Sequence, residues 1–265
     1  MDSTLNEELN ILFEKFSNEV KNILGNNIKS IIIYGSVALG GFIKGKGDID
    51  YICITNDNLC DEEIRKIHDL HENIRNGSLG ELGVQLEGAY YSLPMMCNMK
   101  EAAGRGYYMG TNKNRWREVS KVGSLNCMDR LMMIRHGIVI YGEKKIDYLK
   151  EPRLEEIKEE FLENLQNNIE WSKKGNSVYF SIEMVYFAAR GLNTLKTGQL
   201  LSKGKACEWF VLEYEKSKWR DYVGYTSKFR YPLSKQEEEI INRAYIINNT
   251  TPFLEDIYRV LTIAN

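Results

Sequence analysis

Two hydrophobic periodicities follow one another along the chain. Residues 5–24 repeat apolar side chains at helical spacing, which is typical of an amphipathic helix, and Gly25-Asn26-Asn27 follow as a helix-ending segment. Apolar runs of strand length come at 30–33, 51–54, 84–93 and, as a strand or buried turn, 136–142. Helical patterns lie between them at 61–77 and 129–135. This half therefore predicts an α+β (α/β) domain, in which helices flank a mixed β-sheet.

The strand patterns fade after Pro152, and helical periodicity continues alone. Amphipathic segments come at 154–171, at 178–195, from about 203, from 234 and at 252–263. The fourth opens on Ser234-x-x-Glu237, the pattern of a capping box. A charged stretch with a proline, 143–152, separates the two patterns. We therefore expect the α+β domain at 1–150 and an α-helical bundle at 151–265.

Composition narrows the class of partner. The 265 residues are 43% hydrophobic and 27% charged with a net charge of -2, so no basic field favours a nucleic acid. The five cysteines are scattered and lack Cys-x-x-Cys spacing, which indicates neither a disulfide scaffold nor a zinc site. No signal-like N-terminus and no apolar run near ~20 residues is present. We expect a cytoplasmic protein without nucleic-acid or membrane partners, as a monomer or weak dimer.

One stretch carries candidate chemistry. The apolar strand Ile31-Ile32-Ile33 leads into Gly35-Ser36, a loop with four glycines, and then Asp48-Ile49-Asp50 at the start of a second strand. Asp48 and Asp50 are two positions apart, so on a strand they point to one face, where their repulsion favours a bound cation. Carboxylate oxygens suit Mg²⁺, and a Gly-Ser turn offers an amide and a hydroxyl to phosphate. Alone, each motif is commonly a solvated acid pair or a turn; their order favours a metal-dependent nucleoside triphosphate site.

Glu87 adds a third carboxylate. It lies inside the apolar run 84–93, where a buried charge is costly unless it is paired or bound to a cation. The cations of the Asp-x-Asp motif would supply that partner. The alternative is a glutamate on an edge strand that faces water.

The ordered motif resembles a known superfamily. Gly35-Ser36 followed by Asp48-x-Asp50 resembles the polymerase-β-type nucleotidyltransferases. Within that superfamily, the segment Tyr34-Gly-Ser-Val-Ala-Leu-Gly-Gly41 resembles the aminoglycoside O-adenylyltransferases that act on spectinomycin and streptomycin. The resemblance implies a nucleotidyltransferase domain at 1–150, ATP as co-substrate and two Mg²⁺ ions held by Asp48, Asp50 and Glu87. It also implies that Glu87 is the base for the substrate hydroxyl. Gly47 departs from the family, which has Ser before the first Asp.

A second resemblance lies in the helical half. The stretch from Ala189 to Lys203 is similar to a family segment in which an Arg and a Lys reach the nucleotide phosphates. Arg190 and Lys203 match those positions, so the resemblance implies that they bind phosphate together with Gly35 and Ser36. Cations opposite a triphosphate would stabilise departing pyrophosphate. The alternative is two ordinary exposed basic residues.

The acceptor site departs from the family. The place of its substrate-stacking Trp is Asn112, with Trp116 four residues later, and its acidic residue falls on Tyr179-Phe180. Glu183, two turns before Arg190, is a substitute for that acid. We therefore expect Asn112, Trp116 and Glu183 to contact the acceptor.

These observations predict one activity and leave two alternatives open. The prediction is Mg²⁺-dependent transfer of AMP from ATP to a hydroxyl of a small cationic aminoglycoside or aminocyclitol antibiotic, spectinomycin or streptomycin, which gives antibiotic resistance. The first alternative is the same chemistry on another antibiotic, a metabolite or a protein. The second is an antitoxin-like binding protein that keeps the nucleotidyltransferase fold.

Overall fold

The computed structural model describes residues 3–99, 102–122, 125–143 and 148–263. The chain divides into two compact units, Met1–Glu151 and Pro152–Asn265. Within the described ranges, no helix is long and apolar enough to cross a membrane.

The first unit is built from helices and a single sheet. Its strands are β1 Ile28–Ile33, β2 Ile49–Thr55, β3 Leu86–Ser92, β4 Gly106–Met109, β5 Arg117–Val119 and β6 Ile138–Gly142. Its α-helices are α1 Ser3–Leu24, α2 Gly35–Ala38, α3 Asp61–Arg75, α4 Gly80–Gly83, α5 Leu93–Cys97 and α6 Cys127–His136. Short 3-10 turns lie at Gly25–Asn27 and Lys113–Arg115.

The six strands form a mixed sheet in the order β5-β4-β3-β2-β1-β6. β2 and β3 are parallel, and the other neighbouring pairs are antiparallel. A parallel pair needs a crossover connection, which α3 provides. This topology brings the end of β1, the starts of β2 and β3 and the end of β4 to the same edge of the sheet. We call it the site edge.

The sheet has two differently covered faces. Tyr51, Tyr90 and Tyr107 belong to the face that packs against α1 and α3, named the α1/α3 face. Ile52, Ala89 and Tyr108 belong to the opposite face, which packs with Met95 and Met96 of α5 and Met133 of α6 and is named the α5/α6 face. Asp50 and Glu87 lie two residues before Ile52 and Ala89, so they are on the α5/α6 face at the site edge.

A buried histidine lies within the α1/α3 face. His71 Nε2 is 3.0 Å from both the Tyr51 and the Tyr90 hydroxyl oxygens. Burial, followed by the nearby positive charge of Arg75, lowers the pKa of His71 to about 3. The imidazole is therefore neutral, and its role here is in packing.

The second unit is helical, and none of its described residues is in a strand. Its helices are α7 Leu154–Lys174, α8 Val178–Thr197, α9 Lys203–Glu213, α10 Arg220–Thr226, α11 Lys235–Ile240 and α12 Arg243–Ile263. α8 is closely packed at Gly191, where a Cβ would lie 2.0 Å from Phe161 Cε2 of α7. Together the two units confirm the predicted fold class.

The last helices differ from the sequence prediction. We expected one helix opened by Ser234 and a final helix at 252–263. Instead α11 ends at Ile240, and Asn242 starts α12 by accepting a hydrogen bond from Tyr245 N at 3.0 Å. α12 then continues through the exposed Pro252. Burial of its apolar face outweighs the ~3 kcal/mol that an interior proline costs.

Candidate active site

Two carboxylates meet at the site edge through strand register. Asp50 of β2 is the direct register partner of Glu87 of β3. Paired residues of parallel strands point to the same face, so both side chains are on the α5/α6 face. Asp48 precedes β2 and is exposed, whereas Asp50 is half-buried. The structure therefore places Asp50 and Glu87 side by side, and Asp48 lies two residues before Asp50 along the chain.

Gly35 lies against Asp50 where β1 ends. Its φ of +68° is in the left-handed region, and a Cβ there would lie 1.9 Å from Asp50 Oδ2. A glycine is thus required both by the backbone conformation and by the carboxylate. The adjacent Tyr34 N donates to Asp50 O at 3.0 Å, and Ser36 Oγ is 3.5 Å from Asp48 O. The predicted Gly-Ser turn and the Asp-x-Asp motif are therefore in direct contact.

The glycine-rich loop is held by Gln85, which belongs to neither sequence motif. Gln85 Oε1 accepts from Gly45 N at 3.3 Å, and Gln85 Nε2 donates to Gly47 O at 2.5 Å. Its backbone carbonyl accepts from Ile49 N at 2.7 Å. A polar residue two positions before Glu87 can be noticed in the sequence. Its hydrogen-bond partners follow only from the pairing of β3 with β2.

Tyr34 adds a neutral hydroxyl near the acids. Burial, and then the negative charges of Asp50 and Asp129, raise the pKa of Tyr34 well above its usual value. Its phenol therefore stays protonated at neutral pH and can donate a hydrogen bond.

Glu87 is surrounded by donors from β4 and the turn that follows it. Its side chain is 15% exposed. Oε1 accepts a hydrogen bond from the Tyr108 hydroxyl and lies 3.5 Å from Arg115 Nη2. Oε2 accepts from both Thr111 N and Thr111 Oγ1 at 3.2 Å. Glu87 is thus a hydrogen-bonded carboxylate on the α5/α6 face. The sequence does not single out Tyr108, because β4 is only four residues long, or Thr111, which lies in the turn after β4.

The donor chemistry suits a hard divalent cation. Asp48 and Asp50 offer oxygen ligands on neighbouring positions, and Gly35 leaves the space beside Asp50 Oδ2 without a side chain. Within the described ranges, no three Asp, Glu, His or Cys side chains are grouped closely enough to hold a metal ion. The oxygen donors of Asp48 and Asp50 are of the type that Mg²⁺ takes, and a Mg²⁺ site at these residues, with Glu87 as a third ligand, stays a prediction.

The predicted acceptor residues of the first unit do not join this group. The Trp116 ring centroid is 5.2 Å from that of His68 and 6.3 Å from that of His71, both on α3. Its Nε1 donates to Gly110 O at 2.7 Å. Asn112 Oδ1 accepts from Asn114 N and so caps the 3-10 turn. Trp116 therefore packs on the α1/α3 face, opposite the face of Glu87.

The second unit pairs two predicted site residues with each other. Lys203 Nζ is 2.6 Å from Glu183 Oε2, and both side chains are about a quarter exposed. Lys203 Nζ also lies 5.7 Å from the centroid of the Tyr186 ring. Arg190 is half-buried on α8, two turns beyond Glu183 on the same helix. Glu183 thus neutralises Lys203 within this unit.

Comparisons with known proteins agree with this geometry. Residues 13–77 match the model of the nucleotidyltransferase domain family, a segment that contains Gly35, Ser36, Asp48 and Asp50. A comparison with curated proteins gives no match. The family match and the fold support an enzyme of the nucleotidyltransferase type.

A particular solved structure shares the fold of the chain. It is the crystal structure of spectinomycin adenyltransferase AAD(9) from Enterococcus faecialis with ATP and spectinomycin. The match has a TM-score of 0.66 at 15% identity and covers 94% of this chain and 98% of the other. The similarity extends over both units, and it confirms the predicted resemblance to the aminoglycoside adenylyltransferases at the level of the fold.

Proposed function

We propose that the chain transfers AMP from ATP to a hydroxyl of an aminoglycoside or aminocyclitol, with spectinomycin or streptomycin as the first candidates. The observation that carries the proposal is the register pairing of Asp50 with Glu87 at the edge where Gly35 meets Asp50. The pairing places Asp50 beside the Gly-Ser turn and places Glu87, the proposed base, next to Asp50. The fold that the chain shares with a spectinomycin adenyltransferase crystallised with ATP and spectinomycin supports this choice of substrates.

The residues have distinct roles in this reaction. Gly35 and Ser36 contact the nucleotide phosphates, and Asp48 and Asp50 would hold two Mg²⁺ ions. Glu87, whose oxygens already accept three hydrogen bonds, is proposed as the base. When bound, the cation neutralises phosphate charge and favours departure of pyrophosphate. Arg190 and Lys203 are proposed as phosphate contacts, and Glu183, which pairs with Lys203, is proposed as a contact to the acceptor.

Glu87 carries the proton transfer. The acceptor hydroxyl gives its proton to a Glu87 carboxylate oxygen while its oxygen forms a bond to the α-phosphorus of ATP. The bond between the α-phosphorus and the bridging oxygen breaks, and pyrophosphate leaves with that electron pair. The products are the adenylyl ester and pyrophosphate.

The test is pyrophosphate release with ATP, Mg²⁺ and a panel of acceptors. The wild-type chain should turn over spectinomycin or streptomycin, and Glu87→Gln should lose at least ~100-fold in turnover because the base is gone. Glu118→Gln is the matched control, since Glu118 is on β5, pairs with Arg105 at 2.8 Å and is proposed to have no part in the reaction. Expression in a susceptible host should raise resistance to the same acceptor.

Two outcomes would overturn the proposal. One is the absence of turnover on every aminoglycoside and aminocyclitol tested, and the other is a Glu87→Gln variant as active as Glu118→Gln. If an Asp50→Asn variant retained the full biological effect, the binding-protein alternative would replace the enzyme.

One observation favours a second candidate acceptor. Arg115 Nη2 is 3.5 Å from Glu87 Oε1, so a cation already lies beside the proposed base. An ammonium group next to the acceptor hydroxyl would meet repulsion there. An acceptor without a positive charge beside its reactive hydroxyl is therefore the second candidate, and neutral sugars and nucleosides belong in the same panel.

A further inference from the structure

Tyr108 occupies a central position between a cation and the proposed base. It lies on β4, is 7% exposed, and its hydroxyl donates to Glu87 Oε1. The same hydroxyl oxygen accepts from Arg115 Nη2 at 2.9 Å. Arg115, Tyr108 and Glu87 thus form a directed chain of hydrogen bonds that ends on the carboxylate.

The Tyr108 ring is itself held in place. The guanidinium carbons of Arg115 and Arg117 lie 5.5 Å and 5.1 Å from the ring centroid, within the range of cation–π attraction. The hydroxyl accepts from Arg115 and donates to Glu87, so its donor direction is set by these two contacts.

The other carboxylate oxygen is fixed by a turn that has its own support. Thr111 contributes two donors to Glu87 Oε2, each at 3.2 Å. The preceding Gly110 carbonyl accepts from Trp116 Nε1 at 2.7 Å and from Arg75 Nη2 at 3.2 Å. These contacts fix the backbone from which Thr111 donates, so both oxygens of Glu87 are oriented by the protein.

We propose that Tyr108 is a positioning residue, whose hydroxyl holds the Glu87 carboxylate in the orientation that receives the acceptor proton. The inference rests on the proposed function. An ionised carboxylate has about four lone-pair sites, and the three hydrogen bonds from Tyr108 and Thr111 leave capacity for the incoming hydroxyl on Oε1. Without Tyr108, Oε1 can rotate away, and a misplacement of about 1 Å at a reacting group costs on the order of 100-fold in rate.

The experiment compares two neighbouring tyrosines that differ in face. Tyr108→Phe deletes the hydroxyl that contacts Glu87, whereas Tyr107→Phe deletes one on the opposite face of the same strand. We expect Tyr108→Phe to lower kcat by about 10- to 100-fold with the KM for ATP within about twofold of wild type. Tyr107→Phe should keep wild-type kcat. A Tyr108→Phe enzyme with unchanged kcat, or with a defect confined to KM, would overturn the proposal.

A double-substitution cycle separates positioning from a purely structural role. In a Glu87→Gln background, Tyr108→Phe should lower kcat no further, because the carboxylate it orients is absent. An equal loss in both backgrounds would show that Tyr108 acts elsewhere and would overturn the proposal.

Wild type, the two single variants and the double variant also test the hydrogen bond between Tyr108 and Glu87 without any reaction. In unfolding experiments free of ATP and metal, the two substitutions should be non-additive, with a coupling of about tenfold in the unfolding equilibrium constant. Additive effects would contradict the hydrogen bond and overturn the proposal.

The proposed function and this inference fail in different ways. If no acceptor is adenylylated by the wild-type chain, the proposed function fails and takes the inference with it. If the wild type is active and Glu87→Gln is not, but Tyr108→Phe behaves as Tyr107→Phe does, the inference alone is wrong.

Discussion

The two faces of the sheet use buried tyrosines in opposite ways. On the α1/α3 face, Tyr51 and Tyr90 converge on His71, and the Phe16 and Trp116 rings lie 6.0 Å and 6.3 Å from the His71 ring centroid. On the α5/α6 face, the Tyr108 hydroxyl reaches a carboxylate at the site edge. The first group directs two hydroxyls at one imidazole nitrogen inside a packed core. The second directs a hydroxyl at a carboxylate that we propose as the base. The comparison teaches that a buried tyrosine is assigned a role in the proposed reaction by its position at the site edge, and not by its burial alone.

The largest expected effect comes from filling the space beside Asp50. Gly35→Ala should lower turnover by about 100-fold or more, because its Cβ would displace the Asp50 carboxylate. Gly40→Ala is the matched control, since Gly40 has a φ of +65° but no atom within 4 Å of an added Cβ. Both variants bear the ~1–2 kcal/mol cost of left-handed backbone. Equal activities for the two variants would show that strain alone, and not Asp50, accounts for the loss.

On the α1/α3 face, we expect His71 to contribute to the free energy of unfolding, and we expect this contribution to depend on pH. The pKa of His71 is about 3 in the folded protein and near 6.5 when unfolded, so the unfolded state binds the extra proton between these values. The contribution of His71 is complete above pH 6.5 and falls as the pH falls, by about 2 kcal/mol at pH 5.

The variant that tests this is His71→Gln, followed by chemical unfolding at pH 7.5 and pH 5. Its deficit relative to wild type should shrink at the lower pH. His68→Gln, one turn earlier and 43% exposed, is the control for a substitution on the same helix outside the core. Parallel pH profiles for wild type and His71→Gln would contradict a neutral buried imidazole.

The smallest expected effect sharpens the contrast between the faces. Tyr90→Phe removes one of the two hydroxyls at His71 and should cost about 1 kcal/mol of unfolding free energy. Its kcat should stay within about twofold of wild type, unlike that of Tyr108→Phe. Thermal unfolding and steady-state kinetics on the same preparation decide this, and a large loss of kcat would mean that the α1/α3 face also supports the chemistry.

The sequence predicted the elements of the site better than their contacts. Asp50 and Glu87 could be placed on strands because apolar runs surround them, and the family resemblance implied that the two carboxylates belong to one site. The register that pairs them depends on main-chain hydrogen bonds between β2 and β3, which no local pattern contains. The role of Gly35 was predicted for phosphate, while its contact with Asp50 appears only in the folded backbone.

Short elements and tertiary contacts set the limit of prediction. β4 and β5 have four and three residues, too few for an alternating pattern to emerge, so Tyr108 was not singled out. Trp116 was chosen for its residue type, and its packing on α3 depends on the path of the chain after Gly110. In the second unit, Pro252 is a local helix-breaking signal that the packing of α12 overrides.

The hydrogen bonds of Gln85 have a consequence for engineering. One side chain ties the glycine-rich loop, through Gly45 and Gly47, to the strand that carries Glu87. Residues 41–48 are therefore not an independent module. A chimera that takes this loop from another enzyme also needs a compatible residue at position 85, because the side chain there is hydrogen-bonded to the loop.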